Sequence, residues 1–221
     1  MSASAPDAVA DAPDFDGAFR ARLMDLVRWR RDVRRFRREP VVDAVLAELL
    51  EAIRLAPSVG LSEPWRIVAV ESLAARAGVR ASFAQANNAA LAGYEGERAR
   101  RYAGLKLAGL DDAPVQWALF ADMAPMKGHG LGRATMPEMA AYSVACAVMQ
   151  AWLVARAKGL GIGWVSILEP ADVTRLLDVP PHWRLVSYLC LGWPAHEDDQ
   201  PELDRAGWET RDAHLPVVIT R

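Results

Sequence analysis

The sequence predicts an α+β protein in which helices surround a central mixed or antiparallel sheet. Its 221 residues, 52% of them hydrophobic, are enough to bury a sizeable core within one domain. Helix-like and strand-like segments are intermixed without the regular alternation that a parallel sheet requires. A long apolar stretch at 136–158 predicts a helix that is buried on every side, either at the centre of the fold or in a homodimer interface.

The N-terminal half begins with a low-complexity segment and continues into two helices and a strand. Residues 1–17 are acidic and rich in Ala and Pro, so they are predicted to be disordered, with a single domain over 18–221. Apolar residues at helical intervals predict a helix from Phe19 and a second, amphipathic helix at 41–56. Alternating residues at 64–72 predict a strand.

The next segment, 73–109, has a helical pattern that is interrupted by glycines at 78, 93, 96 and 104. Small and polar residues dominate its second part. Residues 80–108 are therefore predicted to form a mobile excursion that could close over a site as a lid.

The remaining predicted elements are strand 113–122, helix 136–158, strand 162–168, helix 170–179 and strand 184–194. Thr135 and Glu138 form a capping-box pattern, which predicts that the long helix begins there. Its apolar run is shorter than the roughly 20 residues of a membrane span and carries polar side chains. A core helix is therefore favoured.

The overall charge and the cysteines exclude several classes of protein. The 26 basic and 28 acidic residues nearly cancel, which argues against a general nucleic-acid binder. Cys146 and Cys190 both lie in apolar runs and are predicted to be buried, inert thiols. This cysteine usage, with no signal-peptide pattern, fits a cytoplasmic protein without a membrane partner. His129 has no second ligand at metal-binding spacing, so no metal site is expected.

A dense basic cluster follows the first predicted helix. Around one carboxylate, Asp32, arginines stand at 28, 30, 31, 34, 35, 37 and 38. Guanidinium groups suit phosphate, and no acidic partner stands at i,i+4 spacing, but a solvated charged surface is also possible. Asp32 is either an ion-pair partner or a catalytic carboxylate whose pKa the surrounding positive charge lowers.

Two glycine-containing segments carry weaker signals. The segment "APSVGLSEPW" (56–65) is either a helix stop or a turn that holds a polar ring edge through Ser58. The segment "GLGIGWVS" (159–166) lacks both the GxGxxG and the P-loop patterns, so neither nucleotide-binding motif is present. The GxSxG pattern of a nucleophile elbow is missing as well.

Taken together, these segments resemble a known family. "RRDVRRF", "APSVGLSEPW" and "GLGIGWVSI" are similar to the FMN-binding blocks of the nitroreductase-like fold. "YAGLKLAGLDDAPVQ", "GHGLGRATMPEM" and "YLCLGWP" resemble its flavin-fragmenting branch, the 5,6-dimethylbenzimidazole synthase (BluB) family. The resemblance runs from about residue 20 to 210; ordinary nitroreductases usually carry Ser in place of Asp32, and the branch commonly has Gln in place of Glu63.

The resemblance implies that reduced FMN is both ligand and substrate and that dioxygen is the co-substrate. The expected products are 5,6-dimethylbenzimidazole, the lower ligand of cobalamin, and erythrose 4-phosphate. It also implies a homodimer and a separate flavin reductase that supplies reduced FMN. Two alternatives stay open: an NAD(P)H-dependent nitroreductase or flavin reductase, and a non-catalytic flavin-binding protein.

The resemblance also implies roles for individual residues. Asp32 would act as acid and base, and Ser166 would orient the oxygenated flavin. The residues implied to bind FMN are Arg30, Arg31, Asp32, Val33, Arg34, Ser58, Leu105, Leu107 and Ser166.

Overall fold

The computed structural model describes residues 13–105 and 108–221. Its centre is a four-stranded sheet in the order β1-β2-β4-β3, and every neighbouring pair is antiparallel. The strands are β1 (Trp65–Ala69), β2 (Val115–Asp122), β3 (Gly161–Val165) and β4 (Trp183–Gly192). The predicted α+β class, with strands near the predicted positions, is confirmed.

Helices cover both faces of this sheet. The helices are α1 (Gly17–Trp29), α2 (Asp43–Arg54), α3 (Leu73–Leu91), α4 (Gly96–Gly104), α5 (Gly109–Asp112), α6 (Met139–Ala157), α7 (Pro170–Leu176) and α8 (Glu202–Arg205). Neighbouring residues of β2 show the two faces, because Leu119 belongs to the core on the α2 and α6 side whereas Phe120 belongs to the core beneath α3 and α7.

Helix α6 is the predicted central helix, but it begins later than predicted. Thr135 Oγ1 donates to the Gly132 carbonyl, and the N-cap residue Glu138 makes no side-chain capping bond. The capping-box prediction was therefore wrong, because the preceding loop uses the threonine for its own turn. By length and composition α6 could cross a membrane, yet its buried residues, such as Val144 and Val148, belong to the main core, as expected of a core helix.

One face of α6 is exposed, so the prediction of burial on every side was wrong for the single chain. Tyr142 and Met149 keep 52% and 37% of their surface, and Cys146 between them is also exposed. At i, i+4 and i+7 these side chains form one stripe. The prediction of a buried thiol fails at Cys146, because the cysteine lies on this stripe, and is confirmed at Cys190.

The segment predicted as a lid forms two helices, α3 and α4, with a break at residues 92–95. Gly78 does not interrupt α3, contrary to the prediction. A methyl group at this position would lie 2.6 Å from Leu176 Cδ1. Gly78 therefore allows α3 to pack closely on α7 rather than ending the helix.

Candidate active site

The arginine-rich segment lies along the edge strand β3. Asp32 forms a parallel bridge with Ile162, and the Val33 amide donates to the Ile162 carbonyl at 3.0 Å. Farther along, the Arg37 amide donates to Trp193 O at 2.8 Å. These backbone bonds fix a segment without regular secondary structure at the end of the sheet where β3 meets the C-terminus of β4.

Two glycines of β3 make this close approach possible. A methyl group at Gly161 would lie 2.6 Å from Val33 Cγ2, and one at Gly163 would overlap the Val33 carbonyl oxygen. The glycines of "GLGIGWVS" therefore do not hold a phosphate directly. Because they have no side chain, they leave room for the backbone of the segment that carries the arginines.

The Asp32 carboxylate is held by the backbone of β3. Its Oδ1 accepts a hydrogen bond from the Trp164 amide at 2.9 Å, and its Oδ2 lies 3.6 Å from Arg34 Nε. Burial raises the pKa of Asp32, although the Trp164 amide and the cations of Arg34 and Arg30 act against this effect. The predicted net lowering of this pKa was wrong, because the loss of hydration outweighs the effect of the arginines.

Arg30 and Arg31 are anchored by the C-terminal part of α6. The Arg30 guanidinium lies 4.8 Å from the centre of the Trp152 ring, and Trp152 Nε1 donates to the Arg31 carbonyl at 3.2 Å. Burial lowers the pKa of both arginines. Within the described residues, the buried Nε atoms of Arg31 and Arg34 have no hydrogen-bond partner. Such donors are costly to bury unless a ligand accepts from them.

The outer arginines have carboxylate partners, contrary to the expectation that Asp32 stands alone. Arg35 Nη1 lies 3.2 Å from a carboxylate oxygen of Glu202, and Arg38 Nη2 lies 2.8 Å from one of Asp112. Arg37 pairs with Glu39 at 3.3 Å. The three arginines are exposed, so these pairs contribute little stability, but they occupy the guanidinium groups of the outer arginines.

Two cavities flank Asp32. The larger, of about 100 Å³, is a charged cleft, and its lining includes Arg31, Asp32, Val33, Arg34, Arg35, His196, Asp198, Glu202 and Arg205. The smaller, of about 10 Å³, is mostly apolar, and its lining includes Asp32, Arg34, Gly109, Leu110, Trp164 and Cys190. The charged cleft suits an anionic group such as a phosphate, whereas the apolar cavity has room for no more than about one water molecule.

The other predicted site residues are placed less directly. Ser166 is exposed immediately after β3, one residue beyond Val165 of the smaller cavity. Leu105 ends α4, and Leu107 lies outside the described residues. Ser58 lies elsewhere: its hydroxyl accepts from the Glu63 amide at 3.1 Å, and the neighbouring Val59 amide donates to Ser143 at the start of α6. The structure thus brings Arg30–Arg34 together with β3 but does not bring Ser58 to them.

Sequence reasoning missed two contributors to this site. Trp152 supports both Arg30 and Arg31, yet in the sequence it is one apolar residue of a long helix. The segment 195–208 supplies Glu202 to Arg35 and Glu197 to Arg156. This segment contains a run of acidic residues whose charge complements that of the arginine cluster. That run is the feature of the sequence from which the contact could have been predicted.

Comparisons with known proteins agree with this architecture. A sequence profile of the nitroreductase family matches residues 27–193. Iodotyrosine deiodinase, solved with FMN and 3-iodo-L-tyrosine, superposes with a TM-score of 0.70 over 90% of this chain and 97% of its own, at 23% identity. The fold and the profile together define a member of the nitroreductase family, a class of enzymes.

Two relatives show to which group within the nitroreductase family the chain belongs. The 5,6-dimethylbenzimidazole synthase of Rhodospirillum rubrum is 52% identical over 93% of this chain and 97% of its own length. That of Rhodobacter capsulatus is 49% identical over 89% of this chain and 95% of its own. The chain belongs to the 5,6-dimethylbenzimidazole synthases within the nitroreductase family.

Proposed function

We propose that this enzyme uses dioxygen to fragment reduced FMN, giving 5,6-dimethylbenzimidazole and erythrose 4-phosphate. The observation that carries the proposal is a half-buried carboxyl group beside two guanidinium groups whose Nε atoms are buried without a hydrogen-bond partner among the described residues. Asp32, whose pKa burial raises, stands between Arg31 and Arg34, whose buried Nε atoms lack hydrogen-bond partners among the described residues. A phosphorylated flavin needs both an anion clamp and a group that can move a proton.

The residues present fit FMN at its phosphate end. Arg31 and Arg34 offer buried donors in the charged cleft, and Arg30 is held nearby on Trp152. Guanidinium groups bind phosphate through paired, charge-assisted hydrogen bonds. Phosphate binding would satisfy the donors that the protein itself leaves unpaired, and it would hold the ribityl arm beside Asp32 and Val33.

At the ring end, Asp32 and Ser166 both lie at the C-terminal part of β3, because the Asp32 carboxylate accepts from the Trp164 amide and Ser166 follows two residues later. The Trp164 amide fixes the Asp32 carboxylate, so the proton at Oδ2 is held in one place. A raised pKa lets a carboxyl group retain a proton at a pH at which an exposed aspartate has lost it, which suits an acid and base. Ser166 follows β3 with an exposed hydroxyl, available to orient the ring during its reaction with oxygen.

The site is completed in a homodimer. Ser143, which holds the turn after Ser58, and Trp152, which holds the arginines, are nine residues apart on α6, or about 14 Å along its axis. The exposed stripe of Tyr142, Cys146 and Met149 lies between these two ends. If a second copy packs antiparallel along this stripe, its Ser58 turn comes to the arginine end of the first. This arrangement accounts for an apolar stripe on a soluble domain and for the distance of Ser58 from Asp32.

A charge on the stripe tests the dimer. Met149→Glu should give a monomer in light scattering and weaken FMN binding, because each site loses the partner's Ser58 turn. Leu73→Glu is the control, since Leu73 is 85% exposed at the start of α3, away from the stripe. A Met149→Glu protein that remains dimeric, or a monomeric wild type, would refute this geometry.

Dioxygen and reduced FMN come from outside the protein in this proposal. A separate flavin reductase in the cytoplasm supplies reduced FMN, dioxygen accepts the electrons, and the pyrimidine half of the ring system leaves as a further oxidised fragment.

The decisive experiment mixes the protein with chemically reduced FMN in air and measures 5,6-dimethylbenzimidazole by mass spectrometry. Wild type should form it, and Asp32→Asn should lose at least ~10²-fold of the rate, the lower end of what general acid–base catalysis contributes. Asp112→Asn removes another carboxylate from the arginine cluster, outside the cleft, and should leave the yield unchanged. Steady NAD(P)H-driven reduction of a nitroaromatic with FMN intact would favour the nitroreductase instead. Flavin binding without either reaction would favour a binding protein.

A further inference from the structure

Helix α4 has almost no hydrophobic core of its own. Of its nine residues, Gly96–Gly104, only Tyr102 is buried. The Tyr102 ring packs on Tyr94, just before the helix, at 5.0 Å between ring centres, and on Trp208 at 6.0 Å. Tyr94 and Trp208 meet edge to face at 5.5 Å. The burial that holds α4 in place therefore depends on a tryptophan from the C-terminal segment.

Polar contacts join the same two elements. The Arg98 guanidinium lies 5.8 Å from the centre of the Trp208 ring. Arg101 donates to the carbonyl of Gly207, and it also pairs with Glu97 one turn earlier in α4. Ring stacking, a cation–π contact and a backbone hydrogen bond thus converge on residues 207–208.

The C-terminal segment 195–208 is itself anchored beside the arginine cluster. The Ala195 amide donates to the Arg35 carbonyl at 3.0 Å, and Glu197 receives two hydrogen bonds from Arg156 of α6, both 2.9 Å. Glu202 pairs with Arg35, and the Trp208 amide donates to the Leu203 carbonyl at 2.9 Å. Trp208 is therefore held at a fixed position relative to the charged cleft.

The other end of α4 leads into the site. The Leu105 amide, at the end of the helix, donates to the Tyr102 carbonyl at 3.0 Å. A few residues later, Gly109 and Leu110 line the small cavity beside Asp32. Leu105 and Gly109 are four positions apart in the sequence, so α4 and the wall of this cavity are close neighbours along the chain.

We propose that segment 195–208 is a latch and that Trp208 is a positioning residue. Trp208 holds α4 against the C-terminal segment through its contacts with Tyr94 and Tyr102. The position of α4 in turn fixes the wall of the cavity beside Asp32. The effect of this docking on chemistry rests on the proposed function. A docked α4 keeps water away while reduced FMN and dioxygen react, so that the flavin is fragmented rather than reoxidised to FMN with release of hydrogen peroxide.

Hydrogen exchange of the full-length, ligand-free protein tests the latch. In Trp208→Ala, amides of residues 94–105 should exchange ~10- to 100-fold faster, as expected when a few aromatic contacts that hold a surface helix are lost. Trp208→Phe should restore most of the protection because it keeps a ring. Trp183→Phe is the control: Trp183 is a partly buried tryptophan under Arg66 at the opposite end of β4. Unchanged exchange of residues 94–105 in Trp208→Ala would overturn the proposal.

The partition of products tests the positioning role. Trp208→Ala should release more hydrogen peroxide and less 5,6-dimethylbenzimidazole per reduced FMN consumed, whereas FMN affinity stays within about threefold because the arginine segment is intact. Faster exchange of α4 with an unchanged partition would overturn the positioning role. If the wild type forms no benzimidazole, the proposed function fails, and the exchange result still decides whether Trp208 holds α4.

Discussion

Replacing Gly163 with alanine tests whether the arginine segment must lie directly on β3. The added methyl group would overlap the Val33 carbonyl oxygen, and β3 is a buried strand that cannot move aside. Segment and strand must therefore separate. Two hydrogen bonds are then lost, from the Val33 amide to the Ile162 carbonyl and from the Trp164 amide to Asp32.

These two bonds set the size of the effect. A backbone bond contributes about 1 kcal/mol and a bond to a charged group about 1.5–3 kcal/mol, so the loss is about 2.5–4 kcal/mol. Val33 and Phe36 of the segment belong to the core beneath α3 and α7, so the loss should divide between unfolding and ligand binding. If about half of it appears in ligand binding, FMN affinity, measured by quenching of flavin fluorescence, should fall by about 10-fold, at 1.4 kcal/mol per factor of ten. Thermal unfolding should show the remainder.

Gly17→Ala is the control for this substitution. Gly17 is the first residue of α1, and a methyl group there meets only Arg20 Nη2, at 3.9 Å. It should leave FMN affinity unchanged and stability within about 1 kcal/mol. If Gly163→Ala binds FMN within a factor of three of wild type, the arginines do not depend on this close approach and the reasoning is refuted.

Two further predictions concern titratable groups. Tyr188→Phe should lower the free energy of unfolding in urea by about 1–3 kcal/mol, because Gln116 Oε1 loses its 2.6 Å hydrogen bond. Tyr102→Phe should leave this free energy unchanged, because the Tyr102 hydroxyl is buried without a partner among the described residues, and equal effects of the two changes would contradict this reasoning. The raised pKa of Asp32 stabilises the native state below about pH 4, and this contribution is lost as the pH rises through the folded-state pKa. The stability of Asp32→Asn relative to wild type should therefore increase with rising pH. A difference in stability that does not depend on pH would show that burial does not raise this pKa.

The sequence was sufficient for what depends on local pattern. Helix α2 and the strands follow from apolar spacing, since each buries one or both faces against the core. The position of the arginine segment was not predictable in this way, because its contacts are with β3 about 130 residues later. For the same reason the partner of Arg35 was missed, since Glu202 lies far along the chain.

The failed pKa prediction has a physical cause of the same kind. Counting charges near Asp32 in the sequence gives only the attractive effect of the arginines, which lowers a carboxyl pKa. Burial depends on how Trp164 and the small cavity enclose the side chain, and this is a property of the fold. The sequence thus singled out Asp32 as a candidate, but the count of nearby charges predicted the wrong direction for its pKa shift.

The balance at Asp32 offers a reason for an acid among so many arginines. Arg34 and Arg30 oppose the effect of burial on its pKa, so the net rise is the balance of two opposing causes. A phosphate bound to the same arginines would compete for their positive charge and weaken this opposition. Binding of the phosphate arm would then favour a proton on Asp32 when the flavin ring is in place. A serine at this position could accept the Trp164 hydrogen bond but could not take up that proton, so the proposed acid and base role requires an aspartate here.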